Sequence, residues 1–177
     1  MKEEMEEYKM SLKDGDILNR ADKVAFMGIT DNADTFNRMH GFTDMGKSSN
    51  PSEYSRRYVD ERTERSDVTG YAPEIGYGFD QTKGDKVQQV IVDITDDEVT
   101  GKKVTIVTVD FSQEGSVSGT YIARKREYSV IPDSDGDSTD AYTYSGSFKA
   151  AGDMVKGIAS STDNWETCSF TANEDKE

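Results

Sequence analysis

Four closely spaced aspartates are the residues whose types best suggest metal chemistry; they are Asp133, Asp135, Asp137 and Asp140. Calcium-binding loops use such carboxylates, and they also need a glycine at the sixth position and a glutamate at the twelfth. Counted from Asp133, these positions hold Ser138 and Tyr144. Because Asp, Ser and Gly are also the ordinary turn formers, the segment predicts a surface turn and no metal site.

Acid–base and nucleophilic chemistry has few candidate residues. His40 is the sole histidine, so one chain cannot supply a histidine-based triad or a multi-histidine metal site. Cys168 is the sole cysteine, which excludes an intramolecular disulfide, and its late strand predicts a small core residue. Two pairs of adjacent acids are more typical of solvated surfaces than of catalytic dyads; they are Asp96 with Asp97 and Asp60 with Glu61. We therefore expect no enzymatic activity and no cofactor.

Gly76 and Gly78 form a GYG motif, but no helix begins after it at the spacing of a phosphate-binding loop. The two glycines predict a close backbone approach or a bulge in a strand.

The segment 52–80, SEYSRRYVDERTERSDVTGYAPEIGYGFD, combines strand-like residues with charges of both signs. Alternation would place Tyr54, Arg56, Tyr58 and Asp60 on one strand face, and neither face is apolar. Because such a strand pair is poorly stable alone, we predict an extended arm or hairpin, about residues 36–70, that docks on a neighbour. The candidate interface residues are Tyr54, Arg56, Arg57, Tyr58, Asp60, Glu61, Arg62, Glu64, Arg65 and Asp67.

A second group of cations, Arg124, Lys125 and Arg126, interrupts a later strand. In an acidic chain these cations are candidates for pairing with the acids of another copy, and ordinary surface charge is an equal alternative.

Composition limits the classes of function. The chain has 177 residues, 33% of them hydrophobic, a mean hydropathy of -0.79 and a net charge of -14. This charge opposes nucleic-acid binding, although it is compatible with a conduit through which DNA slides. We expect one domain, residues 21–177, after an acidic segment, residues 1–20, that is either a short helix with Met5, Tyr8 and Leu12 on one side or disordered. The sequence shows no leader and no membrane-length apolar run, so a cytosol-like environment is expected.

The elements that must position these residues are mostly strands. Residues 23–30 predict a buried strand, and residues 85–98 predict an amphipathic helix with Asp85 as N-cap and Gln88 as its capping-box partner. Its end is expected to fray over residues 95–100, with Gly101 as a stop. The β-branched content keeps a strand alternative open there. From residue 102 onward short strands recur, and Tyr144 and Phe148 alternate with polar residues. We predict a mainly β (α+β) fold with two packed antiparallel sheets, as a β-sandwich or incomplete barrel, one flanking α-helix and the extended arm.

The segment 52–80, the helix region up to DDEVTG and the run ARKREYSVIPDSDGDSTDAYTYSGSFKAAG resemble the major tail tube proteins of long-tailed phages of Gram-positive bacteria. The resemblance implies a structural subunit that self-assembles into rings, usually hexameric, which stack into the hollow tail tube that conducts DNA during genome ejection. It makes segment 36–69 an arm that reaches a neighbouring subunit or ring, and it places negative charge on the lumen. It also implies a virion location after assembly in the host cytoplasm, with tape measure, tail terminator and baseplate proteins as partners.

Two alternatives remain open. The subunit could belong to the inner tube of a contractile phage tail or of a phage-derived bacteriocin. A different class of protein, a monomeric ligand- or carbohydrate-binding β-sandwich, would use aromatic side chains as stacking platforms. The candidates are Tyr71, Tyr77, Tyr142, Tyr144 and Trp165.

Overall fold

A computed structural model describes residues 13–173, and the predicted N-terminal helix with Met5, Tyr8 and Leu12 lies outside this range. Twelve strands and one α-helix form in the described range, after a short 3-10 helix at Arg20–Asp22. The first seven strands are β1 (Lys23–Met27), β2 (Thr35–Arg38), β3 (Phe42–Asp44), β4 (Lys47–Ser48), β5 (Pro51–Arg56), β6 (Arg65–Tyr71) and β7 (Glu74–Asp80). Helix α1 (Lys86–Asp96) is followed by β8 (Lys103–Glu114), β9 (Tyr121–Asp135), β10 (Thr143–Ala150), β11 (Val155–Ser160) and β12 (Thr167–Ala172).

Six strands close into a barrel in the order β9, β11, β12, β2, β1 and β8, because β9 pairs with both β8 and β11. Alternate side chains of these strands point inward and form one buried cluster. Its members are Phe26, Phe36, Val107, Val109, Phe111, Ala123, Ala159 and Cys168. The predicted pair of packed sheets is therefore only partly matched, since a single sheet bends round and closes on itself.

The same sheet continues past the barrel as a flat extension. The second half of β9 pairs with β10, β10 pairs with β7, and the short strands β3 and β4 pair with the other edge of β7. One face of this extension packs against α1, where Tyr144 and Phe148 are buried. Ser145, Ser147 and Lys149 lie on the opposite face, so the predicted alternation over this strand is confirmed.

Helix α1 covers the extension with Val87, Ile91 and Ile94, and the helix prediction is confirmed. The Asp85 carboxylate accepts hydrogen bonds from the backbone N–H groups of Val87 and Gln88, both at 2.9 Å, as an N-cap does. The helix ends at Asp96, within the segment 95–100 that was expected to fray. Glu98 is the first residue after it with a positive φ, of 51°, and the predicted stop Gly101 follows with 70°. No helix within residues 13–173 is long and apolar enough to cross a membrane.

Strands β5 and β6 form a separate two-stranded sheet, which we call the hairpin (residues 51–71). The predicted arm of about residues 36–70 therefore contains two kinds of structure. Its first part, β2 to β4, belongs to the main sheet, and its second part is the hairpin. Side-chain packing holds β2 to β4 in the main sheet: Phe36 belongs to the barrel cluster, and Phe42 packs on Phe79 with ring centroids 5.1 Å apart.

Candidate assembly surface

The hairpin is exposed along its whole length. Every residue of β5 and all but one of β6 are exposed, and among the described residues neither buried cluster includes a hairpin side chain. Tyr54 and Tyr58 expose about half of their surface, at 49% and 48%, and Val59 is fully exposed. Exposed tyrosines, valines and arginines on a strand pair without a core are typical of a surface that becomes buried on association.

One face of the hairpin carries charge and aromatic groups together. Tyr54 lies opposite Asp67, and Arg56 lies opposite Arg65. The two arginines would repel each other across the strands, but Arg65 forms an ion pair with Glu61 and lies 5.8 Å from the Tyr58 ring centroid. Arg56 instead donates a hydrogen bond of 3.2 Å to the Tyr54 hydroxyl. The Glu61–Arg65 pair and the tyrosines thus order this face before any partner arrives.

The opposite face carries two serines and Val68, with the acid Glu53 opposite Val68. The hydroxyls of Ser55 and Ser66 lie 2.7 Å apart across the strands, beside Val68. Val59 and Val68 were not among the predicted interface residues, because the prediction followed charges and tyrosines. Their apolar side chains within a charged segment were the signal that could have found them.

The structure does not extend the predicted strand through Asp60. Strand β5 ends at Arg56, and a turn reverses the chain, in which Glu61 N–H donates to the Tyr58 carbonyl at 3.1 Å. The predicted shared face of Tyr54, Arg56, Tyr58 and Asp60 was therefore wrong in its second half. Three other predicted residues lie in the exposed segment between the strands: Arg57, Arg62 and Glu64. Within residues 13–173, no carboxylate lies at ion-pair distance from Arg56, Arg57 or Arg62.

Backbone and side-chain hydrogen bonds hold the root of the hairpin where it joins the rest of the described chain, which we call the body (residues 13–50 and 72–173). Ala72 N–H donates to the Asn50 carbonyl at 3.1 Å, and the Asn50 side-chain amide donates to the Ala72 carbonyl at 3.2 Å. These two bonds keep the ends of the hairpin adjacent and fix the direction in which it leaves the main sheet.

The predicted basic triplet is split between two faces of β9. Lys125 packs over the Phe170 ring, with its ammonium 5.0 Å from the centroid, on the side of the barrel cluster. Arg124 and Arg126, with the opposite parity, lie on the other face of the strand. Of the three cations in the triplet, Arg124 and Arg126 are the two on the outer face, where a partner could reach them.

The aromatic platform of the ligand-binding alternative does not assemble. Tyr77 and Tyr144 are buried in the core beneath α1, at 2% and 4% exposure, and burial raises the pKa of each to about 12. Trp165 packs against the barrel cluster instead, while Tyr71 and Tyr142 are exposed. The five rings thus lie in three different environments and offer no common surface to a ligand.

The aspartate-rich segment forms the end of β9, with Asp133 and Asp135, and the β9–β10 turn, with Asp137 and Asp140. Asp137 accepts a hydrogen bond of 2.6 Å from the Ser134 hydroxyl, and Asp135 accepts one of 2.5 Å from the Tyr142 hydroxyl. Within residues 13–173 no group of three or more His, Cys, Asp or Glu side chains is placed to hold a metal ion. The predicted turn is confirmed as a turn, and its carboxylates bind neighbouring hydroxyls.

His40, Cys168 and the GYG glycines each have a structural role. His40 Nε2 lies 2.9 Å from a Glu166 carboxylate oxygen, which ties the β2–β3 connection to the start of β12. Cys168 is a buried barrel residue, as predicted, and burial raises the pKa of its thiol to about 12. A Cβ on Gly78 would lie 3.3 Å from the Thr43 hydroxyl, so the predicted close approach at the GYG motif is confirmed there.

No protein-family model and no curated protein matches the chain. Solved structures share its fold. It is similar to a chain in the tail of an empty gene transfer agent particle with C6 symmetry, with a TM-score of 0.53 and 12% identity over 78% of this chain and 97% of that chain. It is similar also to a chain in the virion of a native gene transfer agent particle, with a TM-score of 0.53 and 13% identity over 88% of this chain and 100% of that chain. The fold is thus one that tail-bearing particles contain.

Proposed function

We propose that the chain is a non-catalytic structural subunit of a phage-type tail that self-assembles into stacked rings, forming the hollow tube that conducts DNA. The hairpin carries this proposal: it presents exposed arginines, acids and tyrosines on a strand pair that adds no side chain to either buried cluster of the described residues. The fold supports it, since a chain of similar fold occurs in a C6-symmetric tail. A six-membered ring is part of the proposal, because it would match that symmetry.

The charge of the chain fits a conduit. A surface with a net charge of -14 repels the phosphate backbone, so DNA can pass without adhering. We place the subunit in the virion tail, assembled in the cytoplasm of a bacterial host, where tape measure, terminator and baseplate proteins would contact the ends of the tube. The inner tube of a contractile tail or of a phage-derived bacteriocin would use the same subunit design.

The test removes the hairpin without touching the body. Because Asn50 and Ala72 are already adjacent, residues 52–70 can be replaced by a short Gly–Ser turn. We expect the purified full chain to form rings or hollow tubes by negative-stain electron microscopy at high concentration. The hairpin-less variant should stay folded and form neither rings nor tubes.

Two face-specific variants sharpen this test. Arg56→Glu with Arg65→Glu reverses charge on the aromatic face and should reduce assembly, whereas Ser55→Ala with Ser66→Ala on the other face should leave it nearly unchanged. If the hairpin-less variant forms tubes, the hairpin is not required for assembly. A wild-type chain that stays monomeric would contradict the proposed function.

A further inference from the structure

Strand β9 carries a group of cations near its beginning. Arg124 and Arg126 lie on the same face of β9, and Lys156 of β11 is directly opposite Arg124 in the antiparallel register. Like charges directly opposite each other destabilise a sheet unless another group compensates them. Arg124 and Lys156 are both exposed, so a compensating group could reach them from outside.

Two further observations show that this group is not compensated by residues 13–173. The Arg126 Nε–H is buried and has no acceptor among them. Lys47 of β4 approaches the same group: partial burial, and then the charges of Arg126 and Arg124, lower the pKa of its ammonium. The ion pairs of residues 13–173 involve none of these four cations. We call Lys47, Arg124, Arg126 and Lys156 the basic cluster.

The far end of β9 carries the opposite charge. The Asp135 carboxylate accepts from the Tyr142 hydroxyl, and Asp96 accepts from the Tyr144 hydroxyl at 3.0 Å, with the two rings 5.4 Å apart. The tyrosines thus join the β9–β10 turn to the end of α1. We call this surface the acidic cluster; its members are Asp93, Asp96, Asp97, Glu98, Asp135 and Asp137.

The acidic cluster is also electrostatically unfavourable within one copy. Its four helix-end carboxylates lie at the negative end of the α1 dipole, and no basic residue occupies the last turn of the helix. None of the six acids forms an ion pair with a cation of the described chain. A cation supplied from outside would relieve both the mutual repulsion of the carboxylates and their repulsion by the dipole.

The two clusters cannot meet within one copy. Arg124 and Asp135 belong to one extended strand, and at the rise of a β-strand they are roughly 35 Å apart. Two copies can bring them together, and since the basic cluster of one copy then faces the acidic cluster of the next, both ends remain available for further copies. Such a heterologous contact does not end at a dimer: it closes into a ring or continues as a filament, depending on the rotation between successive copies.

We propose that the basic cluster of one copy binds the acidic cluster of a second copy in a head-to-tail contact. This inference rests on the proposed function and deepens it, because it identifies a contact between copies that is separate from the hairpin. Complementary charge makes it dependent on ionic strength, so it is strongest at low salt.

The experiment exchanges the charges of the clusters. Arg124→Glu with Lys156→Glu cancels the net positive charge of the basic cluster, and Asp93→Lys with Asp97→Lys removes most of the net negative charge of the acidic cluster while placing lysines favourably at the helix end. All four positions are exposed, so folding is expected to be retained and is checked by circular dichroism. Lys83→Glu with Lys86→Glu is the matched control, with the same change in net charge as the first variant at exposed positions elsewhere.

Sedimentation velocity at about 20 mM salt supplies the readout. Each double variant alone should self-associate at least about tenfold more weakly than the wild type and the control. An equimolar mixture of the two variants should recover association between pairs of chains, because the unchanged acidic cluster of the first variant meets the unchanged basic cluster of the second.

The outcomes separate this inference from the proposed function. Tubes whose assembly is unaffected by both reversals would overturn the inference and leave the proposed function standing. A mixture that fails to recover association would overturn it too, since net charge alone would then explain the loss. Binding of a double-stranded oligonucleotide to the wild type but not to the Arg124→Glu, Lys156→Glu variant would assign the basic cluster to nucleic acid instead. A wild type that is monomeric at low salt would overturn both proposals.

Discussion

Asp110 shows how a single residue couples the fold to pH. Its side chain is nearly excluded from water, yet it lies 3.2 Å from the Lys23 ammonium and accepts a hydrogen bond of 3.1 Å from Ser112 N–H. Burial opposes ionisation of the carboxyl, but the hydrogen bonds from Ser112 and Lys23 outweigh it and lower its pKa. The ionised form is therefore the one that the folded barrel stabilises.

The lowered pKa of Asp110 makes the stability of the fold depend on pH. A carboxyl whose pKa is lower in the folded than in the unfolded state contributes stability above its unfolded pKa of about 3.9, and this contribution is lost as the pH falls through the folded pKa. Asp110→Asn should therefore lower the free energy of unfolding by about 1–3 kcal/mol at pH 7. The difference between wild type and variant, measured by urea unfolding, should shrink as the pH is lowered from 5 towards 2. An equal difference at all pH values would contradict this account.

Residue-level predictions succeeded where the local pattern decides. Cys168 and Asp85 were placed correctly, because an apolar alternation and an N-cap are properties of neighbouring residues. The sequence could not predict that the Arg126 Nε–H lacks an acceptor among residues 13–173, because its surroundings are formed by strands distant in the sequence.

Gln88 shows the same limit at the level of the element. The sequence placed it three residues after the N-cap, where its amide would bond back to the Asp85 N–H. That capping-box prediction was wrong: the side chain is buried, its carbonyl accepts from Thr82 N–H at 2.7 Å, and its amide donates to the His40 carbonyl at 3.1 Å. Gln88 thus ties α1 to two loops, a role that depends on where the β2–β3 connection lies.

Gln88→Ala should leave the Thr82 N–H and the His40 carbonyl without these partners, and we expect it to lower the free energy of unfolding by about 2 kcal/mol. Gln89→Ala is the matched control on the exposed side of the same helix, and it should change that energy by less than about 0.5 kcal/mol. Denaturant unfolding followed by circular dichroism measures both. Equal effects of the two substitutions would show that helix propensity alone is responsible.

At the scale of the whole molecule, the hairpin and the body are energetically separate. The hairpin adds no side chain to either buried cluster of the described residues, and Asn50 and Ala72 meet at its root. Replacing residues 52–70 by a short turn should therefore shift the thermal midpoint of the monomer by no more than about 4 °C, that is, by about 1 kcal/mol at most. Differential scanning calorimetry at low concentration is the measurement, and a loss of 10 °C or more would show that the hairpin supports the body.

The sequence showed that the fold is mainly β with one helix, because period-two alternation and the helix pattern are local. It did not show that the sheet closes. Closure requires β9 to pair with both β8 and β11, and β12 to pair with β2 through Thr167 and Asn37. Such pairings join strands far apart in the chain, and strand alternation alone is the same in an open sheet and in a barrel.

This pairing of β2 with β12 also bears on when the protein can fold during synthesis. Until the last described strand has left the ribosome, β2 and β11 are open edges, each able to pair with another nascent chain. Contacts between such distant strands form slowly, because the entropy cost of closing a long loop precedes the stability that the contacts contribute. A chain interrupted shortly before Thr167 would therefore retain most of its sequence but expose two unpaired edges, and aggregation would compete with folding.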